Sequence, residues 1–222
     1  NHGIAIAMIG AVKGYKVIIT TTKKISKEKL QTMRAYGAEV IMCPVTSFIE
    51  DPLSYHSRAI ELHKKTPNSF MPNQYFNIEN RNAHYQVTGP EIWKQTNGAI
   101  THFISGAGTC GTVSGVGRYL KEKNPAIKVY AVDMATSYRA TNGHPKPYKI
   151  EGIGIDFDTE VLDPNVIDEF ITVTDEESLP LLKVLAQQQG ILAGLSSGAV
   201  YAGLLKKLPI FKKGDVIVMI FG

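Results

Sequence analysis

Residues 100–132 constrain this chain of 222 residues more than any other stretch. An apolar run from Ile100 to Ile104 reads as a buried strand. The turn Ser105-Gly106-Ala107-Gly108-Thr109-Cys110-Gly111-Thr112-Val113-Ser114-Gly115 follows. Val116 to Glu122 then has a helical pattern, and Ile127 to Val132 reads as a second strand. Strand, glycine turn, helix and strand form a right-handed βαβ unit. A chain built on such units folds as α/β, with a parallel sheet covered by helices. The turn has the make-up of an anion cradle. Glycines let backbone N–H groups approach a ligand without a Cβ in the way. The helix start adds unpaired N–H groups and the positive end of the dipole. The hydroxyls of Thr109, Thr112 and Ser114 are further candidate donors, and a phosphate is the natural occupant.

Three occupants compete, beside a plain αβ turn that holds no ligand. Gly106-x-Gly108-x-x-Gly111 fits the dinucleotide fingerprint, and Asp133 ends the next strand where a ribose contact would be. The P-loop reading fails, because Thr112 stands where the lysine belongs. The third occupant is the single phosphate of a small cofactor such as pyridoxal phosphate. The hydroxyls of the turn favour this monophosphate, since a bridging pyrophosphate relies more on bare glycine backbone.

The rest of the chain fits a globular α/β protein. Its 44% hydrophobic and 20% charged residues are ordinary proportions. The net charge of +4 is mild and its lysines are dispersed, which argues against nucleic acid. The densest group, Lys23-Lys24 to Lys29, reads as a solvated helix start. No apolar run reaches the ~18–20 residues of a membrane span, and no signal peptide is visible. Cys43 and Cys110 lack metal-ligand spacing, so free thiols in a reducing, cytoplasmic setting and no metal site are expected. The chain opens on Asn1 without Met and closes on Ile220-Phe221-Gly222, so it is expected to be an internal piece of a longer protein.

In order, Ile4 to Val12 has helical spacing, with Gly14 as its end. Lys16 to Thr20 is a β-branched strand. Ser26 is the N-cap of a helix from Lys27 to Tyr36, and Glu39 to Cys43 is a strand. Pro52 suits a first helical position, with a helix to about Lys64. The break from Pro67 to Asn77 suggests a small N-terminal α/β subdomain, 1–66, and a larger one, 67–222. Asn82 to Gln95 is helical with a kink expected at Pro90. Ala135 to Lys149 reads as a surface loop. Glu151-Gly152-Ile153-Gly154 is either a turn or a place where backbone approaches something flat. Val166 to Val173 is a strand, Thr174 to Glu177 a capping box with Pro180 close behind, and Gly194-Leu195-Ser196-Ser197-Gly198 a second hydroxyl-and-glycine turn before a helix. Val216 to Ile220 is the last strand.

Several of these segments together carry a resemblance. Asn1-His2-Gly3-Ile4-Ala5-Ile6-Ala7 resembles the end of the Ser-Gly-Asn-Thr-Gly loop of fold-type II pyridoxal-phosphate enzymes. Gly14 to Ile19, Arg34 to Val40, Asn73-Gln74-Tyr75-Phe76-Asn77, Gly108 to Thr112 and Gly194 to Gly198 resemble the same family, in the same order and over nearly the whole chain. Lys149 to Phe157 and Val161-Leu162-Asp163 resemble the cystathionine β-synthase branch more than the cysteine synthase branch. The resemblance implies two open, twisted, mainly parallel sheets flanked by helices, the tryptophan synthase β-like fold. It implies pyridoxal 5′-phosphate as cofactor, small amino-acid and thiol substrates, and a homodimer.

The same resemblance distributes roles. Gly108, Thr109, Cys110, Gly111 and Thr112 would hold the cofactor phosphate. Asn1 would bond the ring's 3′ oxygen, Ser196 would face the pyridine nitrogen, and Gly152 would lie by the ring. His2, Gln74 and Gly154 would contact substrate. A serine hydroxyl does not force protonation of the ring nitrogen, which suits expulsion of a β substituent. The implied reaction is β-replacement, of the lyase or transferase type found in transsulfuration and cysteine biosynthesis. Serine or an activated serine loses its α proton and its β group, and homocysteine or sulfide takes the vacated position. The family's Schiff-base lysine would lie upstream of Asn1, since no lysine present matches its motif; residues 1–222 therefore hold no expected catalytic residue. Alternatives are an O-acetylserine sulfhydrylase, an NAD-dependent oxidoreductase using the same glycine turn, and a pseudoenzyme of the same fold. Three positions depart from the family: His2 replaces threonine, Cys110 replaces glycine, and Ile155 replaces a tyrosine of some relatives. Cys110 is expected to be harmless, in a position that does not need positive φ.

Overall fold

The computed structural model describes residues 1–46 and 48–222. The chain divides into two compact units, Asn1–Asn73 and Gln74–Gly222.

In the first unit, α1 (His2–Lys13) ends at Gly14, whose φ of 72° lets the chain leave the helix in the left-handed region. Strand β1 is Ile18–Thr22, two residues later than its apolar pattern suggests, because pairing with β2 (Glu39–Cys43) starts at Ile18↔Glu39. Between them α2 (Lys27–Ala35) is capped by Ser26, which accepts from Lys29 N at 3.4 Å. Helix α3 (Tyr55–Lys65) starts after Ser54 rather than at Pro52. The Ser54 hydroxyl accepts from Ser57 N at 3.0 Å and donates to the Ile49 carbonyl at 2.5 Å, so a buried side-chain cap outweighs the proline signal. The two-stranded parallel sheet packs on a small core of Ala7, Met33 and Ala38.

The second unit opens with α4 (Glu79–Ala83), a π-helical turn (His84–Thr88) and α5 (Gly89–Gln95). Pro90 has no N–H to give the carbonyl four residues back. Instead of the expected simple kink, the Gly89 N–H reaches the carbonyl of His84 and the helix widens for one turn. Then come β3 (His102–Gly106), α6 (Gly111–Lys123), β4 (Lys128–Met134), β5 (Glu169–Val173), α7 (Asp175–Gln189), α8 (Leu195–Lys207) and β6 (Ile217–Met219). The strands form one parallel sheet in the order β5-β4-β3-β6.

Side chains alternate along these strands and bury both faces. Phe103, Val129 and Ala131 join Val113, Val116 and Leu120 of α6 in one core. Ile104, Tyr130 and Val132 join Ala199, Val200 and Ala202 of α8 in the other. Thr174 and Glu177 form the expected reciprocal cap of α7, and Pro180 is accommodated inside that helix. No helix among the described residues is long and apolar enough to cross a membrane.

Candidate functional site

Strand order locates the site. From β3 the chain moves outward through α6 to β4, whereas β6, reached through α8, lies on the other side of β3. The switch point of the sheet is therefore between β3 and β6, and ligands of such sheets bind beyond the carboxyl ends of the strands there. Two helix N-termini meet at that place, those of α6 and α8.

The turn 107–111 leaves β3 and enters α6. The Ala107 N–H donates to the Val132 carbonyl at 2.8 Å, which ties it to β4. The 13-residue α6 has no side-chain cap, so its first-turn amides and positive dipole end face the turn. Thr109 Oγ1 accepts from Gly111 N at 3.3 Å and from Asn80 Nδ2 at 3.1 Å. Thr112 Oγ1 lies 3.2 Å from His84 Nε2.

The segment 152–155 lies against this turn. The Gly154 N–H donates to the Ala107 carbonyl at 2.8 Å. A Cβ at Gly108 would stand 2.6 Å from the Gly152 carbonyl oxygen, and one at Gly106 would collide with Ile153. Tyr148 closes over Gly154, its hydroxyl donating to Asp156 Oδ1 at 2.9 Å; burial pushes that phenol above the usual tyrosine range. Gly152 has φ +89°, and a Cβ there would meet the Ser196 Oγ at 4.0 Å. Ser196 is the second residue of α8, and its neighbour fixes it. Ser197 Oγ donates to the Gly222 carbonyl at 3.1 Å and accepts from Gly222 N at 3.0 Å, and Gly194 N donates to the same carbonyl at 2.6 Å.

The second unit thus brings together Gly108, Thr109, Gly111, Thr112, Gly152, Gly154 and Ser196. Gln74 joins them through Asn80, whose Nδ2 also donates to the Gln74 carbonyl at 2.7 Å. Asn1 and His2 belong to the first unit, as the N-cap and first residue of α1. His2 is half-buried, and burial lowers its pKa.

Three expectations are corrected. Cys110 does occupy the left-handed region, with φ 67°, so it carries the strain a glycine would avoid. Its side chain is 2% exposed and packs in the α6 core, where burial pushes the thiol up to about 12. Its Sγ donates inward to the Gly108 carbonyl at 3.8 Å, away from any ligand of the turn's amides. The Ser114 hydroxyl is not a cradle donor: it is fully buried and accepts from Asp163 N at 3.0 Å. Asp133 is not a ribose ligand. It is fully buried and accepts from Met134 N at 2.8 Å, Ser137 Oγ at 2.7 Å and Ile155 N at 3.0 Å, and burial raises its pKa. Ile155 is a core residue. Asp133 therefore anchors the 152–155 segment, and the dinucleotide reading loses its second contact.

Asn80 and His84 escaped the sequence reading, which gave Ser197 no role beyond its place in the second turn. The spacing of Gly111 and Gly115 was the available signal. A Cβ at Gly111 would strike Asn80, and one at Gly115 would strike the Arg81 carbonyl and crowd His84. These glycines admit a neighbouring helix, which no local pattern announces.

The site residues fit a phosphorylated ring. An uncapped helix start with two flanking hydroxyls suits a dianion, and Gly152 and Ser196 lie side by side next to it. Residues 1–222 match the family described as pyridoxal-phosphate dependent enzyme. The chain belongs to that family. It is 45% identical over 210 residues to the cystathionine beta-synthase of Apis mellifera, covering 93% of this chain and 42% of that protein. It spans less than half the length of that relative. The structure of an O-acetylserine dependent cystathionine beta-synthase from Helicobacter pylori superimposes with a TM-score of 0.89 at 38% identity, covering 99% of this chain and 70% of that one. A hydrogen sulfide-producing enzyme from Fusobacterium nucleatum gives 0.91 at 37%, covering 98% and 73%. The fold is that of fold-type II members, and the cofactor is pyridoxal 5′-phosphate. The NAD-dependent alternative is set aside by the family match together with the interior position of Asp133.

Proposed function

We propose that the protein catalyses β-replacement on serine or an activated serine, with homocysteine or sulfide as the incoming thiol. The observation that carries this reading is the convergence of the α6 start, the 152–154 segment and Ser196 at one switch point. When bound, pyridoxal 5′-phosphate supplies the electron sink for loss of the α proton and the β group.

This chain's own residues bind and orient. Thr109, Thr112 and the first amides of α6, with the backbone of Gly108, Cys110 and Gly111, hold the phosphate. Ser196 meets the ring nitrogen as a neutral partner, held by the Ser197–Gly222 clasp. Gly152 keeps the ring face clear, and Gln74 and Gly154 orient substrate. A homodimer in the cytoplasm belongs to the same reading by analogy.

The test is product identification. The full protein is offered serine or O-acetylserine with homocysteine or sulfide, and the thioether or thiol formed is identified. Cystathionine or cysteine is expected; absence of either product with every pair overturns the reading. Ser196→Asp is expected to lower turnover by about tenfold or more, because an anionic partner favours the protonated form of the ring nitrogen. Near-normal turnover would remove Ser196 from its place.

A further inference from the structure

Thr112 poses a problem that the site geometry answers. Its hydroxyl can serve a phosphate only if its single proton points into the turn. The hydroxyl has a second neighbour, His84 Nε2, at 3.2 Å. If that nitrogen accepted, the proton would be turned away from the anion. The other ring nitrogen, Nδ1, lies 3.0 Å from Thr88 Oγ1. A hydroxyl can donate or accept, so the ring's orientation is decided at both ends.

We propose that His84 and Thr88 form a proton-orienting relay that reserves the Thr112 hydroxyl for the cofactor phosphate. Thr88 Oγ1–H donates to Nδ1, Nε2–H donates to Thr112 Oγ1, and the Thr112 proton is left to donate into the turn. The inference rests on the phosphate placement given above and adds a positioning role to two residues outside it.

Three further features support it. The dianion and the α6 dipole act on Thr112 together, so a bound phosphate favours the direction in which Thr112 donates to it. The imidazole is half-buried, and burial lowers its pKa, which keeps it neutral and able to accept at Nδ1. The backbone is shaped for the approach. His84 and Thr88 bound the π-helical turn, and Gly115 is the position where any Cβ would crowd His84. Asn80, one turn earlier, supports Thr109 in the same manner. The α4–π segment therefore serves as an outer brace for both threonines.

The experiment measures cofactor affinity rather than turnover. The full protein is stripped of cofactor, and dissociation constants are measured by fluorescence for pyridoxal 5′-phosphate and for pyridoxal, which lacks the phosphate. The ratio of the two is independent of the fraction folded, so a destabilised variant remains informative. His84→Phe keeps a flat ring without donors and is expected to cut the preference for the phosphorylated form by about tenfold. His84→Gln, which keeps an N–H near the Nε2 position, is expected to recover most of it. Thr88→Val is expected to fall between, with a matching change in the ³¹P shift of bound cofactor. A preference within twofold of wild type in His84→Phe, or no recovery in His84→Gln, overturns the relay while leaving the phosphate site standing. A wild-type protein that shows no preference for the phosphorylated form overturns the phosphate placement, and the relay with it.

Discussion

The two units bury their sheets to different depths. In the first, every residue of β1 is only half-buried, and the core gathers around Ala7, Met33 and Ala38. In the second, β4 is buried from Val129 to Met134, with helices filling both faces of the sheet. Apolar area removed from water is the main favourable term in folding, so the second unit is the one expected to hold its strands most firmly. The proposed phosphate cradle needs amides fixed in place, and its turn leaves that firmer sheet. The difference teaches that the turn entering α6, the proposed anion site, borrows its rigidity from two-sided burial rather than from its own sequence.

Substituting the cores tests this contrast most severely. Phe103→Ala, in a fully buried position, is expected to cost about 3–5 kcal/mol. Ile19→Ala in half-buried β1 is expected to cost roughly 1–2 kcal/mol. Urea unfolding of the full protein gives both values, and hydrogen exchange should show β3 and β4 amides outlasting those of β1 and β2. Equal protection of the two sheets would break the comparison.

Glycines sharpen it. A Cβ at Gly115 would run into the backbone carbonyl of Arg81, so Gly115→Ala is expected to cost about 2–3 kcal/mol through overpacking. Gly14 has φ +72° and open space around it, so Gly14→Ala meets only the left-handed penalty of about 1 kcal/mol. Similar losses at the two positions, measured by thermal unfolding, would show that α6 and the α4–π segment are not closely packed.

The smallest effect concerns the helix caps. Thr174→Ala is expected to cost about 1 kcal/mol, more than Ser26→Ala, because only Thr174 has a reciprocal partner in Glu177. The hydrogen bond from Lys206 holds Glu177 below the usual carboxylate range. A depressed folded pKa stabilises the protein fully above the ordinary glutamate value of about 4.3 and is lost as pH falls through the folded value. Glu177→Gln should therefore lower stability near pH 6 and matter progressively less toward pH 3. A pH-independent loss would assign Glu177 a purely steric role.

Much of this was legible in the residues. The periodicity of Ile100–Val132, the αL end at Gly14 and the Thr174 box appear where local patterns put them. Pro52 misled because the buried cap at Ser54 depends on the Ile49 carbonyl, a partner supplied by the fold of the preceding turn. Cys110 misled for a related reason. Its left-handed backbone is imposed by the strand-to-helix geometry, and burial in the α6 core compensates a strain that its side chain alone would not reveal.

By itself the sequence determined the order of elements, the parallel α/β class and the positions of the two hydroxyl-and-glycine turns, since each rests on spacing between near neighbours in the chain. Only the tertiary structure decided which polar groups face the site. It turned Ser114 and Asp133 inward as internal anchors and brought Asn80 and His84 against the threonines. A hydroxyl or carboxylate takes its role from whichever partner lies within about 3 Å, and at Ser114, Asp133, Thr109 and Thr112 such partners include residues 22–49 positions away in the chain.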